Sequence, residues 1–179
     1  MPNIFDYINW RDISIKQVPF NEIDNLILSR LSYFPLDEIV DNKPITLKET
    51  YEKYKKLGTT GRILQAEDIE LFPKIAKSSR FGEIKLVEYI NKIDPQQEKQ
   101  FSSVTILLPD NTMYIAYRGT DDTIVGWKED FNMTFSQLVP AQIDAVDYLN
   151  KMARKYKKKI RVGGHSKGRK FSSICSELL

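Results

Sequence analysis

The chain has 179 residues, of which 41% are apolar and 28% charged, enough for one domain with a sizeable core. Its 27 Lys and Arg against 24 Asp and Glu leave a net charge of +3, too small to imply a nucleic-acid partner. No apolar run reaches the roughly 18 residues of a membrane span, Met1 to Asp6 carry no basic segment leading into an apolar one, and the single Cys175 excludes an internal disulfide framework. A cytoplasmic location without a secretion signal is therefore expected.

In chain order, Ile4, Tyr7 and Ile8 give a short amphipathic helical pattern that Asp12 and Ser14 break, an N-terminal cap for the core. Ile23, Leu26, Ile27 and Leu31 repeat at helical spacing behind Asn21, a candidate N-cap. Thr46 followed by Glu49 has capping-box spacing and starts a second helix running to Lys56, its Lys and Glu residues forming a solvated face. After a loop at Gly58-Thr59-Thr60-Gly61, Ile69, Leu71, Phe72 and Ile75 return to helical spacing over Ala66 to Lys77, and Pro73 predicts a kink or two short helices. Lys85 to Ile90 fits helix or strand equally, and Asp94-Pro95 marks a turn. Phe101 to Leu108 and Met113 to Arg118 are β-rich runs joined by Pro109-Asp110-Asn111-Thr112, a hairpin signal. Pro140 suits the first position of a helix whose buried face reads Ile143, Val146, Leu149 and Ala153, and whose end is the basic run Arg154 to Lys159. Helices, hairpin, helix and strand in that order predict an α/β class with the last helix as a crossover.

The next strand, Ile160 to Gly163, runs into Gly164-His165-Ser166-Lys167-Gly168. A Gly-x-Ser-x-Gly turn after an apolar strand is the nucleophile-elbow pattern, in which small flanking residues permit a tight backbone approach and a serine is presented between strand and helix. A plain glycine-rich turn is the competing reading. A phosphate loop is excluded, because Gly163 to Gly168 is followed by Arg169-Lys170 in place of Lys and a hydroxyl residue. The basic run before the strand complements a helix C-terminus and has one interleaved aromatic, Tyr156, so nucleic acid is not expected. The aromatic clusters at Tyr33-Phe34 and Phe131 to Phe135 read as core or pocket lining, and no Cys/His spacing suggests a metal, so no cofactor is expected.

The second constellation is Tyr117-Arg118-Gly119-Thr120-Asp121-Asp122 at the end of a predicted strand. Strand-Arg-Gly-Thr upstream of a Gly-His-Ser-x-Gly elbow resembles the class 3 lipase group of α/β-hydrolases. The segments Phe20 to Leu26, Asp122 to Asn132 and Arg161 to Gly168 are similar, in collinear order, to a bacterial lipase-like family within that group. The resemblance implies a serine esterase or lipase-like hydrolase acting on a small-molecule or lipid ester. It implies Ser166 as nucleophile, the Lys167 backbone N–H as one oxyanion donor and Thr120 as the other; a turn residue capping its loop is the competing reading of Thr120. Asp130 and Asn132 are read as loop-ordering groups.

An elbow serine normally needs a histidine oriented by a carboxylate, in the chain order Ser, Asp or Glu, His. The one histidine, His165, adjoins Ser166 and should point away from the serine oxygen, a packing role, while Glu177 lies too close in sequence to be the acid. The expectation is therefore the N-terminal portion of an α/β-hydrolase fold, a single incomplete domain: residues 1–100 mostly helical, 101–168 the sheet core with the oxyanion segment and elbow, and 169–179 an atypical tail. The resemblance implies a small residue and an apolar helix where Arg169 to Leu179 stand, and a truncation or single-base frameshift just after the elbow would account for the difference. Such a chain is expected to hydrolyse esters weakly or not at all. The alternatives are a non-catalytic binding protein that keeps the elbow as scaffold, or a decayed gene product.

Overall fold

A computed structural model describes residues 3–58, 66–96, 99–120, 128, 131 and 139–179. Within them, a five-stranded sheet is packed by six α-helices. The elements are α1 (Ile4–Trp10), α2 (Glu22–Arg30), a 3-10 turn (Leu31–Tyr33), β1 (Ile45–Thr46), α3 (Leu47–Leu57), α4 (Ala66–Lys77), β2 (Lys85–Asp94), β3 (Lys99–Leu107), β4 (Met113–Tyr117), α5 (Pro140–Tyr156), β5 (Ile160–Gly164) and α6 (Lys167–Ser176). Sheet order follows chain order, β1-β2-β3-β4-β5. The first three pairings are antiparallel, and β4 pairs with β5 in parallel across the α5 crossover. The α/β class read from the sequence is observed.

Local chemistry explains the helix starts. Asn3, Asn21 and Thr46 each close a capping box with the carboxylate three residues on, Asp6, Asp24 and Glu49, so that two otherwise orphaned amides are satisfied at each end. Pro140 opens α5 where a missing N–H has no consequence. Gly58 ends α3 at φ +60°, a left-handed conformation that glycine adopts without a Cβ clash.

Both faces of the sheet are covered, which the two-residue alternation of β4 makes visible. Tyr114 and Ala116 point into one core with Leu86, Val104 and Ile106, against Ile27, Leu28 and Leu31 from α2 and its turn and Leu71, Phe72 and Ile75 from α4. Met113, Ile115 and Tyr117 point into the other, with Phe101, against Ala141, Ala145, Tyr148, Leu149 and Met152 of α5 and Phe171 and Cys175 of α6. One buried ion pair locks the N-terminal layer. Arg80 donates to Asp24 at 2.7 and 2.5 Å and to the carbonyls of Ile13, Val18 and Pro19, while Tyr7 donates to the same Asp24 at 2.9 Å.

Three sequence expectations are corrected. Residues 85–94 form a strand, so the sheet begins well before residue 101. Pro73 sits inside one uninterrupted helix. It removes the donor that would reach the carbonyl of Ile69, and Ile69 is on the exposed side, where water can replace that donor. The buried face of α5 does not include Ile143, which is 56% exposed; Ala141 and Ala145 take the helix close to the sheet, and Tyr148 anchors it by a 2.8 Å hydrogen bond to Thr105. Residues 167–176 form α6, and Phe171 and Cys175, four apart on one face, complete the second core.

Candidate functional site

Parallel strands separated by a crossover end at the same edge of a sheet, and ligands of open α/β sheets bind outside such carboxyl ends. Tyr117 of β4 pairs with Gly164 of β5. The residues that follow each, Arg118-Gly119-Thr120 and His165-Ser166, therefore leave the sheet side by side although more than forty positions separate them in sequence.

Ser166 lies between β5 and α6 with φ 56° and ψ −126°. A non-glycine residue there is strained, and such strain persists only where the surroundings enforce it. Two glycines do so. A β-carbon on Gly164 would lie 2.9 Å from the Gly168 Cα and nearer still to its carbonyl, and one on Gly168 would lie 2.8 Å from the carbonyl carbon of Tyr117. The strand, the turn and the first turn of α6 can thus approach only because these positions lack side chains. Amide bonds from Gly168 to His165 and from Arg169 to Ser166, both 3.0 Å, close the turn. The serine itself is exposed.

Gly119 is pressed against this turn. The place its β-carbon would occupy is 2.5 Å from the His165 carbonyl oxygen, 2.5 Å from the Tyr33 hydroxyl and 2.9 Å from the Ser166 Cβ. Thr120, half-buried, is the next residue. Lys167 is the first residue of α6, so its backbone N–H belongs to a helix turn whose amides have no acceptor inside the helix. Its side chain turns away into the protein, with Nζ 3.5 Å from the carbonyl and side-chain oxygens of Gln100 and over the Phe171 ring. The three residues singled out in the sequence, Ser166, Thr120 and Lys167, are thus gathered at one sheet edge. Asp130 and Asn132 lie outside the described residues.

The His165 ring, half-buried, meets Tyr33 edge-on, its Nδ1 3.0 Å from the tyrosine hydroxyl. Burial holds its pKa below the ordinary histidine value, the nearby Arg30 charge adds to that effect, and Asp68 opposes it. Arg30 and Asp68 form a buried ion pair, with Arg30 stacked 4.6 Å above the Tyr33 ring. Glu177 follows the far end of α6, about 15 Å along the helix from the serine. Among the described residues, no three His, Cys, Asp or Glu side chains converge to hold a metal ion, and no helix is long and apolar enough to cross a membrane. A shallow depression lined by Ile39, Pro44, Ile45, Thr46 and Lys48 lies at β1, the opposite edge of the sheet from Ser166.

Tyr33 is the site residue that sequence reasoning missed as such. It was legible only as a buried aromatic, since nothing local links it to a turn 132 positions away.

A family model described as Mbeg1-like matches residues 75–175, more than half of the chain, and the chain belongs to the Mbeg1-like family. This overturns the membership suggested by resemblance to the class 3 lipase group, because Mbeg1-like is a distinct family. The resemblance rested on a strand-turn-helix pattern, an Arg-Gly-Thr strand end and three short collinear segments, Phe20 to Leu26, Asp122 to Asn132 and Arg161 to Gly168; short motifs of this kind recur outside any one family. No curated protein and no solved structure matches the chain.

Proposed function

We propose that this Mbeg1-like chain carries the nucleophile and oxyanion elements of a serine hydrolase acting on an acyl ester, set in a hydrolase-type α/β sheet, and that its turnover is weak. The observation that carries the reading is the backbone of Ser166, held at φ 56° and ψ −126° between a strand and a helix with Gly119 packed on its Cβ. A strained, exposed serine at a strand-to-helix turn is the geometry by which such a nucleophile is presented. The Lys167 N–H, at the positive end of α6, and the Thr120 backbone or hydroxyl are the groups assigned to the developing oxyanion, where one donor is worth about 3 kcal/mol. The substrate class is a small-molecule or lipid ester.

Weak turnover follows from proton handling. The one imidazole packs edge-on against Tyr33, and among the described residues no hydrogen bond joins it to Ser166, so when the Ser166 Oγ bonds to an acyl carbon its proton passes to solvent water. That same engagement favours a second reading, a non-catalytic protein that binds an acyl or anionic group at the elbow.

A fluorophosphonate probe separates the readings. Attack forms an Oγ–P bond, breaks P–F and releases fluoride and a proton to water. Ser166 is expected to label slowly, and Ser166→Ala not at all. Labelling as fast as in an intact serine hydrolase would overturn the claim of weak turnover. Labelling no faster than in Ser166→Ala would overturn the nucleophile assignment and leave the binding reading.

A further inference from the structure

The Tyr33 hydroxyl touches both sides of the site. It accepts a hydrogen bond from the Gly119 N–H at 3.1 Å, sits 3.0 Å from His165 Nδ1 and 3.3 Å from the His165 carbonyl oxygen. Gly119 follows β4 and His165 follows β5, so one side chain, delivered by the 3-10 turn after α2, bridges the two strand ends that carry the oxyanion segment and the serine. One arrangement of protons satisfies all of these contacts: Nδ1–H donates to the hydroxyl, which in turn donates to the His165 carbonyl. A hydroxyl that donated to Nδ1 would have no proton left for the carbonyl, so the contacts select the Nδ1–H tautomer. The Tyr33 ring carries Arg30 stacked on its face, and Arg30 is held there by the buried Asp68.

We propose that Tyr33 is a positioning residue of the Ser166 site: it pins the Gly119 peptide to the elbow, fixes the tautomer of His165, and so sets the angle at which the Gly119-Thr120 segment meets the serine. This rests on the acyl-transfer reading of Ser166. The pin also commits the Gly119 amide, so in this reading Gly119 is not an oxyanion donor. The upstream helices contribute no reacting group, and the Tyr33 hydroxyl is the atom by which they bridge the two strand ends. Losing that oxygen while keeping the ring separates its positioning role from its packing role, because Phe fills the same space among Arg30, His165 and Gly119.

The experiment compares the native chain, Tyr33→Phe and Ser166→Ala. His165 is the only histidine, so the ring nitrogens give one imidazole signal set whose ¹⁵N shifts report the tautomer directly. In Tyr33→Phe the tautomer signature is expected to change, exchange of the Gly119 amide to speed up roughly tenfold with loss of its hydrogen bond, and fluorophosphonate labelling of Ser166 to slow at least tenfold. An unchanged imidazole and amide would overturn the pin. A changed imidazole and amide with unchanged labelling would overturn its role in positioning the serine. Native protein labelled no faster than Ser166→Ala would overturn the acyl-transfer reading and with it any role in reactivity; the imidazole and amide signals, read without a probe, tell that failure from a failure of the pin. Should Tyr33→Phe not fold, the native Gly119 amide carries the test, and exchange as fast as that of an open loop amide would overturn the proposal.

Discussion

Gly168→Ala sets two effects of opposite sign against each other. Gly168 is the second residue of α6, and helix propensity alone favours alanine there by up to about 1 kcal/mol. Packing says the reverse. The new β-carbon would stand 2.8 Å from the Tyr117 carbonyl carbon and 3.0 Å from that of Arg118, and closer still to the Tyr117 oxygen, against the roughly 3.5–4.0 Å of a relaxed carbon contact. All three atoms are backbone at the end of β4, so no side-chain rotation relieves the overlap, and α6 must retreat from the sheet by a substantial fraction of an ångström. That movement loosens Phe171 and Cys175, which are fully buried against Phe101 and Tyr117. Overpacking of this kind costs about 1–3 kcal/mol, here at the upper end, which leaves a net loss of about 2 kcal/mol after the propensity gain. For a chain of this size that corresponds to a fall in Tm of roughly 4–8 °C. Equilibrium urea unfolding followed by circular dichroism measures it, with Ser173→Ala, exposed on the same helix, as a control expected to be neutral or slightly stabilising. A midpoint for Gly168→Ala equal to or above the native value would refute the close approach of α6 to β4.

Two further perturbations test the scaffold and the site. Asp24→Ala strands the Arg80 guanidinium, 2% exposed at its side chain, and should lower stability by about 3–5 kcal/mol in the same unfolding assay; a loss under about 1 kcal/mol would show that the pair does not hold the N-terminal layer. The His165 imidazole, depressed below its ordinary value chiefly by burial, binds a proton less readily folded than unfolded, so stability should be full above the unfolded value near pH 6.5 and fall as pH drops from there through the lower folded value. Thermal melts of native protein and His165→Gln between pH 5 and 7.5 isolate that contribution from the carboxylates common to both. Parallel curves would contradict a buried, neutral His165.

Much of the scaffold was legible because its cues are local. Asn21, Thr46 with Glu49, Pro140 and the Pro109-Asp110 hairpin each act within four residues of the backbone they shape, and each stands where the sequence put it. β2 was ambiguous for a physical reason. Its register slips between Val87 and Ile90, with Glu88 at φ 56°, so the alternation of inward and outward residues that marks a strand is broken in its middle. The face of α5 was misread because aliphatic residues were weighed over alanines and Tyr148. Yet a small residue is what a close helix-on-sheet contact requires, and a tyrosine can enter a core when a partner such as Thr105 meets its hydroxyl. At the candidate site, the glycine-flanked turn around Ser166 was readable from its pattern, while Thr120 entered through the resemblance. Tyr33 was not readable, since its role arises only once α2 is folded onto the sheet.

An active serine requires presentation and proton handling, and in the proposed reading the two draw on different parts of this molecule. Presentation rests on backbone: Gly164 and Gly168 let strand and helix close around Ser166, and none of those contacts involves an ionisable group. The one imidazole beside Ser166 has its Nδ1 on the Tyr33 hydroxyl. The segment matched by the Mbeg1-like family, residues 75–175, contains the whole of the first and only the histidine of the second, for Tyr33, Arg30 and Asp68 all lie upstream of it. Changes among those upstream residues can therefore alter the state of His165 without disturbing the elbow. The converse does not hold, because any movement of the elbow displaces the His165 carbonyl and Gly119 together. In this arrangement Ser166 is held by the backbone of the fold, while Tyr33, Arg30 and Asp68 act on the ring beside it.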